Sequence, residues 1–320
     1  MSDSDSYNDS HRAFLQALMA RGSMTFEEAK PILAEIFSVR EGREILPNDI
    51  SQSDLTHYTA TINLAISPFD LEIRSTLHQG TQARVYALVN TTSDPLTQLA
   101  TTYSADEIAY VKRLLDCMFE TNNTRIAEGM CITTMQAMQL ARVTSNRTST
   151  AGDEAQQTQG GSAQSLTMKD AEEMLTRLVD EGWFERSRRG YYTLAPRALM
   201  ELRSWLIATY NDEEDEIQGV HPRARGGKIK MCFACGDIIT MGQRCSDRQC
   251  LARLHDGCTR NFFRMQQAQK CPVCKKDWTG DYFVGEKALV NRQKSRGGAR
   301  TSNAGSDGQL DDVAADSNAD

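Results

Sequence analysis

Apolar positions first settle into a helical period at HRAFLQALMARG, where Phe14, Leu15, Leu18 and Met19 share one face. TFEEAKPILAEIF opens with a capping box, Thr25 to Glu28, and then places Ile32, Leu33, Ile36 and Phe37 on one side. The pattern changes at LEIRST and ARVYALVNTT, two β-rich runs around His78-Gln79-Gly80 that predict a hairpin. SADEIAYVKRLLDCMF returns to helix behind a second capping box, Ser104 to Glu107, with Ile108, Val111, Leu115 and Met118 as its stripe.

Helices followed by a twisted hairpin describe a winged-helix domain, expected over residues 11–122 after a polar, disordered 1–10. The plan then repeats. GMCITTMQAMQLARV predicts a helix. LTMKDAEEMLTRLVDEGWFERSRRGYYTLAP predicts a capped helix from Thr167, carrying Ala171, Met174, Leu175 and Leu178. A turn at Gly182 and a hairpin closing at Arg189-Gly190 complete a second winged helix over 123–210. Residues 144–165 interrupt it with a polar Gly/Ser/Gln-rich stretch that has no periodicity and is expected to be disordered. Residues 211–228 run from NDEEDE into a basic segment and predict a linker; 285–320 are poor in apolar residues and predict a disordered tail. The expected class is α+β: two tandem winged-helix domains, then a small two-zinc domain over 229–280, which the resemblance given below implies to be cross-braced and RING-like.

The zinc expectation comes from the cysteines. The chain has 320 residues, nine cysteines and five histidines, and CFACGDIITMGQRCSDRQCLARLHDGC holds five of the cysteines with one of the histidines. Either a disulfide framework or a metal site would use them so. The polar, acidic MSDSDSYNDS shows no secretory signal, so a reducing compartment is expected, and clustered cysteines there bind metal more often than they pair. The N-x-T triplets at Asn90, Asn122 and Asn146 are then chance matches. No apolar run is long enough for a membrane span. The net charge of −7 argues against a dominant nucleic-acid footprint.

In order, the candidate ligands are Cys232, Cys235, Cys245, Cys250, His255, Cys258, Cys271 and Cys274, enough for two tetrahedral zinc sites. Pairs spaced by two residues suit a tight turn that aims both side chains at one ion, and Gly236 and Pro272 fit such turns. The segment has too few large apolar residues for a core of its own, so structural zinc would supply much of its folding free energy. With all four positions filled by protein at each ion, no position is left for a catalytic water. Cys117 and Cys131 lie in helical runs outside the cluster and are expected in the core.

Four cysteines, one histidine and three cysteines resemble the interleaved fingers of RING and PHD type. That resemblance implies one zinc on Cys232, Cys235, His255 and Cys258 and the other on Cys245, Cys250, Cys271 and Cys274. PHD fingers carry an aromatic two residues before the seventh ligand, where this chain has Gln269. RING features are present instead: the Cys-Pro-Val-Cys closing pair, Phe233 beside the first pair, Phe262 after the sixth ligand and Lys275 after the eighth. With HRAFLQALMARG, YALVNTTSD, YSADEIAYVKRLLD and GWF…GYYTLAPRALMEL in this order, residues 10–280 closely resemble the non-structural maintenance of chromosomes element one family.

The resemblance implies a RING-type ubiquitin-protein ligase subunit of the Smc five/six complex, acting in DNA repair and recombination in the nucleus. Implied partners are a MAGE-like subunit, non-SMC element three, the kleisin subunit element four, and a ubiquitin-conjugating enzyme. A RING has no nucleophile of its own, so no catalytic residue is expected; Phe233, Phe262, Pro272 and Lys275 would dock the conjugating enzyme. The alternative is a non-catalytic interaction module of the same complex. A PHD-like histone reader ranks below both, because the chain has little from which to build an aromatic cage. Arg186, Arg188 and Arg189 on the second wing are of a kind that meets phosphate, but direct DNA contact is not favoured, because winged helices in this family are implied to serve as protein interfaces.

Overall fold

A computed structural model describes residues 6–91, 102–142, 165–211 and 226–291. All but the last residue of the expected insertion at 144–165, most of the linker and most of the tail lie outside these residues. The described chain mixes helix and sheet in three units, each carrying a three-stranded antiparallel sheet.

The first unit runs α1 (Asp9–Arg21), β1 (Ser23–Thr25), α2 (Phe26–Glu41), α3 (Gln52–Ile66), β2 (Leu71–Leu77) and β3 (Arg84–Asn90). β1 pairs with β3, and β3 pairs with β2 in the predicted hairpin. Asn8, Thr25 and Ser51 cap the helices by accepting hydrogen bonds from first-turn amides. The expected disorder of 1–10 therefore ends early, with Asn8 as a cap and helix from Asp9. Phe14, Leu18, Leu33, Phe37, Tyr58, Ile62 and Ile73 close a core of this unit's own residues. Met19, predicted on the apolar face of α1, is 59% exposed.

The second unit repeats the order: α4 (Ala105–Asp116), β4 (Ile132–Thr133), α5 (Thr134–Leu140), α6 (Met168–Asp180), β5 (Phe184–Arg186) and β6 (Tyr191–Leu194). Both orders are compatible with a winged helix. α4 corrects the sequence division at 122. Its buried Tyr110, Val111, Leu114 and Leu115 pack with Leu175, Phe184 and Leu194, so it opens the second unit rather than closing the first. GMCITTMQAMQLARV is likewise not one helix: Ile132 and Thr133 pair with Tyr192 and Tyr191, and helix starts at Thr134 with Thr133 as its cap. Two short helices, α7 (Pro196–Glu201) and α8 (Arg203–Tyr210), follow, and α7 packs on β2 and β3 of the first unit.

The third unit has β7 (Gly242–Arg244), β8 (Arg253–Leu254), α9 (Asp256–Gln266) and β9 (Phe283–Val284), with β7 central. β9 extends the finger past the expected end at 280, and residues 286–291 form a further helix, α10, where disorder was expected. Ile229, Ile238, Ile239 and Val284 belong to the same apolar cluster as the second unit's core, which is what orders this end of the finger. Among the described residues no helix is long and apolar enough to cross a membrane.

Candidate metal centre

Two knuckles of the same design hold the outer ligand pairs. Met231 bridges to Ile238 and Lys270 to Asp277, and between them the chain turns through Cys232–Cys235 and Cys271–Cys274. In each, the amide after the second cysteine donates back to the carbonyl of the first: Gly236 to Cys232 at 2.9 Å and Lys275 to Cys271 at 3.1 Å. Both residues take positive φ, 82° at Gly236 and 63° at Lys275. Glycine adopts that conformation without strain, whereas lysine pays about 1 kcal/mol for it.

The eight side chains fall into two groups, Cys232, Cys235, His255 and Cys258, and Cys245, Cys250, Cys271 and Cys274, with donor atoms within 4.8 Å of one another in each. Cys235 Sγ lies 3.3 Å from His255 Nδ1, Cys245 Sγ 3.4 Å from Cys274 Sγ and Cys250 Sγ 3.5 Å from Cys271 Sγ. Such separations suit the edges of a tetrahedron around one ion with bonds of about 2.0–2.3 Å. His255 presents Nδ1 to its group while Nε2 donates to the carbonyl of Ile238 at 3.2 Å, the outer hydrogen bond that fixes a metal-binding tautomer. Backbone amides of Asp247 and His255 point at Cys245 Sγ and Cys232 Sγ. Hydrogen bonds from neighbouring thiols pull Cys232 and Cys271 toward the thiolate, against burial. Soft sulfur donors with one imidazole and no spare ligand make both groups consistent with zinc. Cys117 and Cys131 are buried elsewhere, and burial pushes Cys131 up to about 12, an inert thiol.

Of the docking candidates, Phe233 and Phe262 meet edge to face at 6.0 Å and are half-buried, as is Pro272. Lys275 is exposed and its Nζ donates to the Pro272 carbonyl at 2.9 Å. Trp278 packs on the finger, 5.5 Å from Phe263. On the β5–β6 hairpin, expected as the second wing, Arg186 lies over the Tyr192 ring and Arg189 reaches Glu286 at 3.7 Å, so two of its three candidate phosphate-binding cations are already engaged.

Sequence reasoning missed what holds the finger in place. Arg253, 1% exposed between the ligands Cys250 and His255, forms a bidentate pair with Glu128 of the second unit at 2.5 and 2.6 Å. Its remaining nitrogen donates to the Cys250 and Ala252 carbonyls. Lys230 and Arg244 approach Glu128 at 3.3 and 3.4 Å. Burial alone would raise the Glu128 carboxyl, but the Arg253 hydrogen bonds and the three cations outweigh it and hold the group at about 2. On the other side, the first unit's hairpin tip reaches in. Gln79 accepts from the Thr240 and Met241 amides at 3.0 and 2.9 Å, and donates to Ile238 O at 2.9 Å, the same carbonyl that holds His255. Gln82 covers Gly257, where any Cβ would strike its carboxamide. His78 Nδ1 accepts from the Gly80 and Thr81 amides, so its proton sits on Nε2 and is donated to Glu185 of β5. No periodicity marks a lone Glu128 or Gln79; only their placement beside the finger reveals them.

The model of a family described as the Nse1 non-SMC component of the SMC5-6 complex matches residues 11–202, more than half of the chain. The chain belongs to this family. A RING-like family model matches residues 232–274, the span from first to last ligand of this Nse1 family member. Curated relatives include the non-structural maintenance of chromosomes element 1 homologs of Xenopus laevis and Homo sapiens. They are 24% and 22% identical, over 86% and 84% of this chain and 84% of each relative. The Schizosaccharomyces pombe element 1 is 22% identical over 88% of this chain and 97% of that protein. A solved chain from a structure titled Nse1-Nse3-Nse4 complex shares the fold, with a TM-score of 0.61 at 22% identity, covering 85% of this chain and 97% of that one.

Proposed function

We propose that this chain is a RING-type ubiquitin-protein ligase subunit of the SMC5-6 complex, acting in the nucleus in DNA repair and recombination. Its ions are structural zinc, one on Cys232, Cys235, His255 and Cys258, the other on Cys245, Cys250, Cys271 and Cys274. Zinc supplies the crosslinks that fix the two knuckle loops. The chain's own residues then do the work by positioning: Phe233, Phe262 and Pro272 offer apolar contact to a ubiquitin-charged conjugating enzyme, and Lys275 offers hydrogen bonds. Its winged helices bind the MAGE-like Nse3, with the kleisin Nse4 attached.

The observation that carries this reading is Lys275. A lysine strained into a left-handed turn, at the position where the matching knuckle has glycine, is a cost that a purely structural knuckle does not need. Against it stands the loop Cys245-SDRQ-Cys250, longer than in common RINGs, which favours weak activity that depends on the partner subunit. The second reading is a non-catalytic module, favoured by the finger's two-sided clamping through Gln79 and Glu128.

The deciding experiment is ubiquitin discharge from a panel of conjugating enzymes by the chain co-purified with Nse3. Zinc-dependent discharge that is lost in Cys271→Ser and in Phe233→Ala, with Phe233→Ala still zinc-loaded, supports the ligase. No discharge from any enzyme by an intact, zinc-loaded complex moves the assignment to the non-catalytic module.

A further inference from the structure

The finger carries a concave surface that none of these roles uses. It measures about 520 Å³ and is lined by Arg260, Phe263, Arg264, Gln267, Trp278 and Gly280. Arg260 and Arg264 stand one turn apart on the exposed side of α9. Among the described residues neither meets a carboxylate, although the lysines around the finger do: Lys276 pairs with Asp247 and Lys287 with Asp256. Between the arginines lies the half-buried Phe263, against Trp278. A basic rim over an aromatic floor suits a short acidic segment that carries an apolar side chain.

The chain contains such a segment. Residues 307–320 hold Asp307, Asp311, Asp312, Asp316 and Asp320 with no lysine or arginine. Their large apolar side chains, Leu310 and Val313, bracket Asp311-Asp312. α10 is tied to the first turn of α9 by Lys287–Asp256 at 2.9 Å, and the described region ends four residues later, at 291. From there to residue 307 an extended chain spans up to about 50 Å, more than the length of the whole finger helix.

We propose that the acidic C-terminal segment, residues 307–320, docks in this concavity, with Asp311 and Asp312 on Arg260 and Arg264 and Leu310 on Phe263. The occupant is this chain's own end rather than an outside ligand, because charge, apolar spacing and tether length all match it. The inference does not depend on ligase activity. It rests on Arg260, Arg264 and Phe263, none of which is among the docking residues Phe233, Phe262, Pro272 and Lys275, so either can fail without the other.

The test is hydrogen exchange in the zinc-loaded full-length chain, read over 259–269 and over 307–313. Asp311→Lys with Asp312→Lys should speed exchange of both segments by about threefold to fivefold, the size expected of two ion pairs at exposed arginines and a small apolar contact. Arg260→Asp with Arg264→Asp should do the same, and the four changes combined should restore protection. High salt should weaken the protection in the wild-type chain. Unchanged exchange in either reversed pair, or no recovery in the combined variant, overturns the proposal. Stronger protection of 259–269 by a short DNA duplex than by the tail would overturn it too, giving the arginines to phosphate.

Discussion

The first unit meets the finger through side chains at one hairpin tip, and the second meets it through a shared core and a buried charge cluster. Their elements follow the same order, yet Phe14, Leu33 and Tyr58 close their core without help from the finger. The second unit's core instead runs on through Ile229, Ile238, Ile239 and Val284. A repeated element order therefore does not imply a repeated role. One copy is a self-sufficient body that reaches across with Gln79; the other is half of a larger body whose second half is the finger.

Removing zinc tests this division most severely. A structural zinc site contributes on the order of 10 kcal/mol to a small finger, far more than any contact described here. A chelator, or Cys271→Ser, should unfold 229–284 and strip four apolar side chains from the second core. Amide exchange should then rise over 183–211 while 14–88 keep their protection. Equal loosening of both units would refute the asymmetry.

Glu128→Gln comes next. It leaves Arg253, Lys230 and Arg244 buried around a neutral amide, which costs about 3 kcal/mol, because an unpaired buried charge is far more costly than a missing pair. The sign with pH follows from the depressed carboxyl. With a folded value of about 2 against 4.5 in the unfolded chain, Glu128 contributes its full stability above about 4.5 and loses it as pH falls toward 2. The stability gap between wild type and Glu128→Gln should stay constant from pH 8 to about 5 and shrink below that. Taking the difference cancels zinc release, which both proteins share. A gap unchanged down to pH 3 would show that the carboxylate charge is not what holds Arg253.

Gln79→Ala is smaller, about 2 kcal/mol at most, because it leaves two backbone amides without their acceptor next to buried Thr240. Since Gln79 and His255 share the Ile238 carbonyl, the variant should also weaken zinc at the first site by roughly tenfold, as outer-shell losses do. Competition with a chromogenic chelator reads this directly. An unaltered zinc affinity would reduce the hairpin to a passive neighbour.

What the sequence showed and hid follows the same line. The ligand spacing was legible because one short segment must carry its donors at fixed separations. The hairpin at 78–80 was legible because strand alternation is local. Glu128 was not, since its meaning depends on Arg253, 125 positions away. The place of α4 was hidden for the same reason: its stripe says that it is buried, and only packing says against what. Ile132 and Thr133 read as helix because two residues are too few to show strand alternation.

The smallest expected effect belongs to the first unit alone. His11 is 1% exposed, stacked 4.3 Å from the Tyr58 ring, and its Nε2 has no hydrogen-bond partner among the described residues. Burial first, then the charges of His57 and Arg40, push its pKa below 6.5. The folded state therefore resists a proton that the unfolded chain accepts. Stability is unaffected above about 6.5 and falls as pH drops beneath it, by at most about 1.4 kcal/mol per unit. His11→Phe should remove this dependence while keeping the stack on Tyr58. Because the first core shares nothing with the finger, exchange over 14–66 should respond between pH 6.5 and 5 while 183–211 does not. Glu128 governs the second unit only at lower pH, so two separate acid transitions, one per unit, are expected. A single transition in which both regions loosen together would mean that the hairpin tip couples the two cores more tightly than its hydrogen bonds indicate.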